Sequence, residues 1–226
     1  MSDDPSASLN PAQRRSLETV LELLAEERAS VSSVVDERAW KVHVADSLTG
    51  LEVPELQAAS RIADVGAGAG FPGLALAVAL PAAQIDLIES IGRKCAFMQR
   101  AAEEAAIANA TVLNTRSEDW AASDGRESYD VVTARAVGRL STLAELASPL
   151  LKPNGVLVAW KGKRDQEEEA QMAAAAEPLA MTPEQILDVG NRAGSQHRHL
   201  HVIRKSGPTP TNLPRKPGIA KKRPRG

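Results

Sequence analysis

The chain has 226 residues, 43% of them hydrophobic and 25% charged, enough apolar content for one domain with a real core. A single cysteine, Cys95, excludes an internal disulfide, fits a reducing cytoplasmic compartment, and reads as a packing residue rather than a nucleophile. No apolar run approaches the ~20 residues that cross a bilayer, and the acidic N-terminus lacks the apolar stretch of a secretory signal.

Residues 1–10 read as a disordered leader. From Pro11 to about Arg28, Leu17, Val20, Leu21 and Leu24 recur at helical spacing and predict an amphipathic helix. A second helix is expected from about Asp36 to Leu51, with Trp40, Val44 and Leu48 on one side. Asp36 reads as its N-cap, with Glu37 favouring the helix dipole. Short strands and helices then alternate. The strands are expected at Arg61–Val65, Gln84–Glu89, Thr111–Asn114, Tyr129–Ala134, Gly155–Trp160, Gln185–Val189 and His199–Arg204. Helices are expected at Phe71–Leu80, Gly92–Ile107, Arg139–Leu151 and Arg164–Glu177. Such alternation means right-handed crossovers and a doubly wound, mostly parallel α/β sheet. The last two strands, close together in sequence, suggest an antiparallel pair at one edge.

From Gly207 the chain carries five prolines and three glycines and reads as an extended basic tail. Up to position 191, 17 basic residues stand against 29 acidic ones, a balance of −12; the last 35 residues hold ten basic residues and no acid. A basic tail on an acidic body fits a nucleic-acid partner, and a merely solubilising tail is the other reading. The division expected is a single domain: a leader and helical cap over about 1–56, a core over 57–206, and the tail over 207–226.

The segment Asp64-Val65-Gly66-Ala67-Gly68-Ala69-Gly70-Phe71-Pro72-Gly73 joins the first strand to a helix. Glycines suit a tight turn with unusual backbone angles and let a ligand approach the backbone closely. Gly68-x-Gly70-x-x-Gly73 also satisfies the dinucleotide fingerprint, so an NAD(P)-binding oxidoreductase is a rival. Glu89, ending the second strand, can take ribose hydroxyls from either cofactor. Asp64 and Gly66 separate the two: they fit the methyltransferase pattern D-x-G-x-G-x-G, where Asp64 holds the loop or faces the cofactor, and are idle in the other register.

Further motifs follow in order: His43-x-x-Asp46-Ser47-Leu48 before the loop, then Glu89-Ser90-x-Gly92-Arg93-Lys94, Arg116-x-Glu118, Ala134-Arg135-Ala136, Lys161-Gly162, Arg198-His199-Leu200 and Pro214-Arg215-Lys216-Pro217-Gly218. Together with the glycine loop, over residues 30 to 226, this set closely resembles the RsmG (GidB) family, which methylates guanine N7 in 16S ribosomal RNA. The resemblance implies a Rossmann-like class I methyltransferase with a seven-stranded sheet, using S-adenosyl-L-methionine. It implies cofactor contacts at Gly66, Phe71, Ser117, Glu118 and Arg135; Asp64, Gly68 and Glu89 join them on the loop reading. Ser117 followed by acids is also a helix-cap pattern. The chain departs from the family at Ala29-Ser30-Val31, where Asn-Leu-Thr is usual, and in an alanine-rich helix around Gln171–Glu177.

The implied chemistry suits the residues. Guanine N7 carries an available lone pair at neutral pH, so transfer needs no obligatory general base and rests mainly on alignment. Arg135, ending the fourth strand, is the expected positioning residue, with a strand-end ion pair as its other reading. Arg93, Lys94, Arg116, Lys161 and Arg198 stand at strand ends, where open α/β sheets bind ligands. They are the expected RNA contacts, with Arg215 and Lys216 of the tail. Aromatic content of 3% argues against extensive base stacking. His43 and Asp46 share a helix face and read as structural, and no metal site is expected. The expected partner is 16S ribosomal RNA or the small ribosomal subunit, with no membrane and a monomeric enzyme. A catalytically silent RNA-binding protein of the same fold is the remaining alternative.

Overall fold

A computed structural model describes residues 4–27, 34–36, 38–190 and 197–225. Its centre is one seven-stranded sheet: β1 Arg61–Val65, β2 Gln84–Glu89, β3 Ala110–Asn114, β4 Tyr129–Arg135, β5 Leu151–Lys161, β6 Met181–Asp188 and β7 His199–Lys205. The spatial order is β3-β2-β1-β4-β5-β7-β6. The pairs from β3 through β5 are parallel, while β7 runs antiparallel between β5 and β6. The central strands are apolar on both faces, as a parallel sheet covered by helices requires. The order reverses between β1 and β4, which places a crevice at their carboxyl ends.

Helix α1 Pro11–Glu26 is fixed at its start by Asn10 and Gln13, which bond reciprocally across the first turn, and by Pro11. It buries Leu17, Val20, Leu23 and Leu24, each burial stabilising by roughly 1.5–3 kcal/mol. Residues Pro5–Ser8, expected to be disordered, form a 3-10 turn capped by Asp4; the Ser6 hydroxyl accepts the Trp40 indole N–H at 3.1 Å. The expected helix from Asp36 to Leu51 is irregular. It runs as a π-helix over Trp40–Ala45, α2 Asp46–Leu48 and a 3-10 turn Thr49–Glu52. Asp36 lies ahead of it, bonding the Arg38 N–H and guanidinium. Glu37, Arg28 and Ala29-Ser30-Val31 lie outside the described residues.

This cap docks on β5 through Trp160, whose indole N–H donates to the Asp46 carbonyl (2.9 Å) and reaches the Thr49 hydroxyl (3.2 Å). A Cβ on Gly50 would meet the Trp160 ring at 2.5 Å, so the approach is backbone-close. Short α3 Pro54–Ala58 leads into β1. Further helices among the described residues include α4 Gly73–Ala79, α5 Gly92–Glu104, α6 Ser117–Ala121, α7 Leu140–Ala147 and α8 Gln166–Leu179. Pro72, expected inside the first turn of α4, precedes it as N-cap. Cys95 is buried, with its thiol against the Glu89 carbonyl.

The tail is not extended but folds back over α7. Its root is Lys205, fully buried, whose ammonium donates to Glu127, the Leu151 carbonyl and the Thr209 hydroxyl, each at 2.7 Å. Farther on, Arg126 donates to the Leu213 carbonyl, and Arg215 grips the Glu145 carboxylate with two bonds. A helical turn, Ile219–Lys222, ends the segment. Lys205 and Thr209 hold the Glu127 carboxyl well down, to about 2. Its stabilising contribution is therefore complete above the ordinary glutamate value and is lost as pH falls toward 2. Glu127→Gln strands the buried Lys205 charge. At pH 7 it should lower unfolding free energy by about 2–3 kcal/mol in urea titrations; an unchanged midpoint would contradict this role.

Candidate active site

The glycine loop lies at the carboxyl end of β1, inside the crevice. Gly66, Gly68 and Gly70 have φ of +69°, +61° and +88°, the left-handed region that other residues rarely adopt. At Gly68 a Cβ would find only the Gly66 carbonyl, at 3.7 Å, so the loop backbone is open there. At Gly66 a Cβ would stand 2.7 Å from Cγ2 of Val137, which lies over the loop from the turn after β4.

Asp64 braces this loop from beneath. It is fully buried; Oδ2 accepts the Gly73 N–H at 3.0 Å and Oδ1 accepts the Thr133 hydroxyl at 2.9 Å. One carboxylate thus joins β1, the start of α4 and β4. It holds the loop and does not line the cavity. Burial pushes its pKa up to about 6, against the pull of its two donors.

A cavity of about 190 Å³ opens beside the loop, lined among others by Gly66, Glu89, Ser90, Ser117, Glu118 and Val137. Glu89 accepts the N–H groups of Gly68 (3.1 Å) and Ile91 (2.9 Å), tying the end of β2 to the loop. Ser117 opens α6, where Arg116 is the N-cap without a side-chain bond, so the serine is not the cap. Its hydroxyl donates instead to Glu118 Oε2 at 3.2 Å. Glu118 Oε1 accepts the N–H of Gly218, 100 residues later in the chain.

Phe71, expected at the cofactor, is buried in the core and stacks on His43, with ring centroids 5.0 Å apart. Arg135 also turns away from the cavity. Its guanidinium donates to Asp46 (2.9 Å) and the Val42 carbonyl (3.0 Å) and lies 3.4 Å from His43 Nδ1. Arg198 reaches the other oxygen of Asp46 at 2.6 Å. Asp46, only 2% exposed, therefore joins the cap, β4 and the start of β7. Burial, with Arg135 alongside, holds His43 below the ordinary histidine value and hence neutral at pH 7.

The expected RNA contacts divide in two. Arg93, Arg116 and Lys216 are exposed and Lys94 is half-buried; Arg93 and Lys94 stand at the head of α5 and Arg116 at the cavity itself. Lys161, Arg198 and Arg215 are occupied internally, by Glu168 and the Gly138 carbonyl, by Asp46, and by Glu145. Each of these three, itself partly exposed, neutralises a largely buried carboxylate. Sequence reasoning also missed Val137, Thr142, Leu146, Gly218 and Lys221 on the cavity wall. The positive φ that the glycine of Pro217-Gly218 permits was the one local signal for the tail.

The residues suit an adenosine-containing cofactor: a glycine backbone without side chains, two carboxylates to accept from hydroxyl and amino groups, and serines beside them. Among the described residues no group of three His, Cys, Asp or Glu side chains could hold a metal, and no helix is long and apolar enough to cross a membrane.

Solved structures with this fold include an S-adenosylmethionine-dependent methyltransferase from Aquifex aeolicus (TM-score 0.55, 17% identity, 75% of this chain and 94% of that one). Another is the Methanococcus jannaschii fibrillarin pre-rRNA processing protein (TM-score 0.58, 17% identity, 74% and 76%). The fold is thus the class I methyltransferase fold. The model of the rRNA small subunit methyltransferase G family, GidB, matches residues 15–200. Ribosomal RNA small subunit methyltransferase G of Bacillus subtilis is 35% identical over 221 residues, and that of Staphylococcus carnosus 34% over 224, each alignment covering 96% of this chain and 92% of the relative. The chain belongs to this family. The oxidoreductase alternative falls with that membership.

Asp64 provides a pH test. Because its pKa is raised by folding, it favours the fold most below the ordinary aspartate value, and that contribution is lost as pH rises through about 6. Asn does not titrate. The stability of the wild type relative to Asp64→Asn should therefore fall by about 3 kcal/mol between pH 3.5 and 7 in paired urea titrations. A pH-independent difference would contradict the buried, strained charge.

Proposed function

We propose that the chain transfers the methyl group of S-adenosyl-L-methionine to N7 of a guanine in 16S ribosomal RNA, in the cytoplasm. The observation that carries the reading is the cavity at the carboxyl edge of β1 and β2, bounded by the open glycine loop and by Glu89 and Glu118, in a chain of this family.

When bound, the cofactor supplies an electrophilic methyl group on a sulfonium. The protein's part is binding and orientation. Gly66 lines the cavity beside Val137 and Gly68 offers open backbone in the loop, while Glu89 accepts from ribose hydroxyls and Ser117 and Glu118 from the adenine edge. N7 of guanine needs no proton removed, so no general base is assigned; alignment of nucleophile and methyl carries the rate. Arg135 acts through the cap. By holding Asp46 and the Val42 carbonyl it fixes His43 against Phe71 and so shapes the wall beside the loop.

Arg93 and Lys94 at the head of α5 and Arg116 on the cavity, with Lys216 on the tail, are the cations that meet RNA phosphates. Each lost phosphate contact should weaken binding broadly and reduce its salt dependence. The decisive assay supplies unmodified 16S RNA, free and in small subunits, with methyl-labelled cofactor and maps the product. Label at guanine N7 is expected. Label on a protein or on another base atom would overturn the specific reading, and binding without transfer would favour a silent RNA-binding protein.

A further inference from the structure

The C-terminal segment reaches the cofactor cavity. Besides the Arg215–Glu145 pair, the Arg225 guanidinium lies 3.8 Å from the same carboxylate, and the Thr142 hydroxyl donates to the Ala220 carbonyl at 3.4 Å. Gly218, with φ of +79°, turns the chain so that its N–H meets Glu118 Oε1 at 2.7 Å. Gly218 and Lys221 then line the same cavity as Gly66 and Glu89. Lys221 is exposed and makes no ion pair among the described residues, unlike Arg215 and Arg225 of the same segment.

We propose that the segment from Arg215 to Arg225 is the outer wall of the cofactor cavity and that Lys221 contacts the bound cofactor. Cofactor binding and docking of the segment then reinforce each other. The inference rests on the cavity taking S-adenosylmethionine. An adenosine group presents donors, its amine and ribose hydroxyls, and acceptors, its ring nitrogens and ribose oxygens. Glu89 and Glu118 serve the donors only. The Lys221 ammonium supplies a donor to the same cavity. Glu118 links the two events directly: it is at once a cavity residue and the anchor of Gly218, so a ligand that fixes it also fixes the segment. Linkage makes the effect reciprocal, the docked segment raising cofactor affinity by the factor with which cofactor favours docking.

The test uses S-adenosylhomocysteine as the probe, titrated by calorimetry into four proteins: the full chain, a chain ending at Pro217, Lys221→Glu and Lys222→Glu. The truncation keeps the Lys205 root and the Arg215–Glu145 pair. Lys222 makes the same charge change one residue away, off the cavity lining. Truncation should weaken binding about tenfold and Lys221→Glu about fivefold, with Lys222→Glu matching the full chain. Should the truncated chain fail to fold, the exposed Lys221→Glu change still decides the matter. Hydrogen exchange on the full chain should show residues 216–223 slowed by saturating probe. Equal affinities for the full chain and Lys221→Glu, with no added protection, overturn the inference while leaving the cofactor reading intact. No binding to the full chain sinks the cofactor reading and this inference with it.

Discussion

The Asp64 carboxylate is the constraint on which the site depends. A glycine-rich turn has little to hold it: three residues in left-handed conformations cost backbone entropy and bring no side chains to pack. Asp64 compensates by accepting from Gly73 and Thr133, so that the loop's far end is tied to the strands on either side of the topological switch. The cost is a charge in a fully buried place, visible in its raised pKa. Glu89 completes the frame from β2 by accepting the Gly68 N–H. Two carboxylates, one below the loop and one beside it, keep a side-chain-free backbone open.

Charge complementarity inside the molecule organises what surrounds that frame. Asp46 gathers Arg135 and Arg198, Glu168 takes Lys161, Glu127 takes Lys205, and Glu145 takes Arg215. Each pair joins segments distant in sequence or secures a loop, and in each at least one member is buried, so removing its partner would be costly. The acidic body and basic tail are thus partly a matched set. Some of the cations that read as an RNA footprint serve the fold, and the exposed remainder, Arg93, Arg116 and Lys216 among them, stays available to solvent.

The parallel strands were legible because buried β-segments of apolar and β-branched residues between turn signals have few other readings. β1 and β2 match residue for residue, and the glycine loop with Asp64 was legible for the same reason: conformation there is dictated by residue type. Phe71 and Arg135 were legible as important but not in their orientation, since nothing local says that a phenylalanine stacks on His43 or that an arginine turns toward Asp46. The tail misled most. Prolines, glycines and like charges describe an extended chain when its partners are unseen, and here the partners, Glu118, Glu127 and Glu145, lie 70 to 100 residues earlier. The leader misled in the same way, for Ser6 is held by Trp40 across the cap.

A crystal structure of the full chain with S-adenosylhomocysteine tests the central claim most directly. The ligand should lie in the cavity between the glycine loop, β2 and α6, with its adenosine hydroxyl and amino groups on Glu89 and Glu118 and the Gly66 backbone against it. Ligand seated elsewhere, for instance in the apolar cavity between α8 and the β6–β7 edge lined by Met172, Ile186 and His201, would contradict the account.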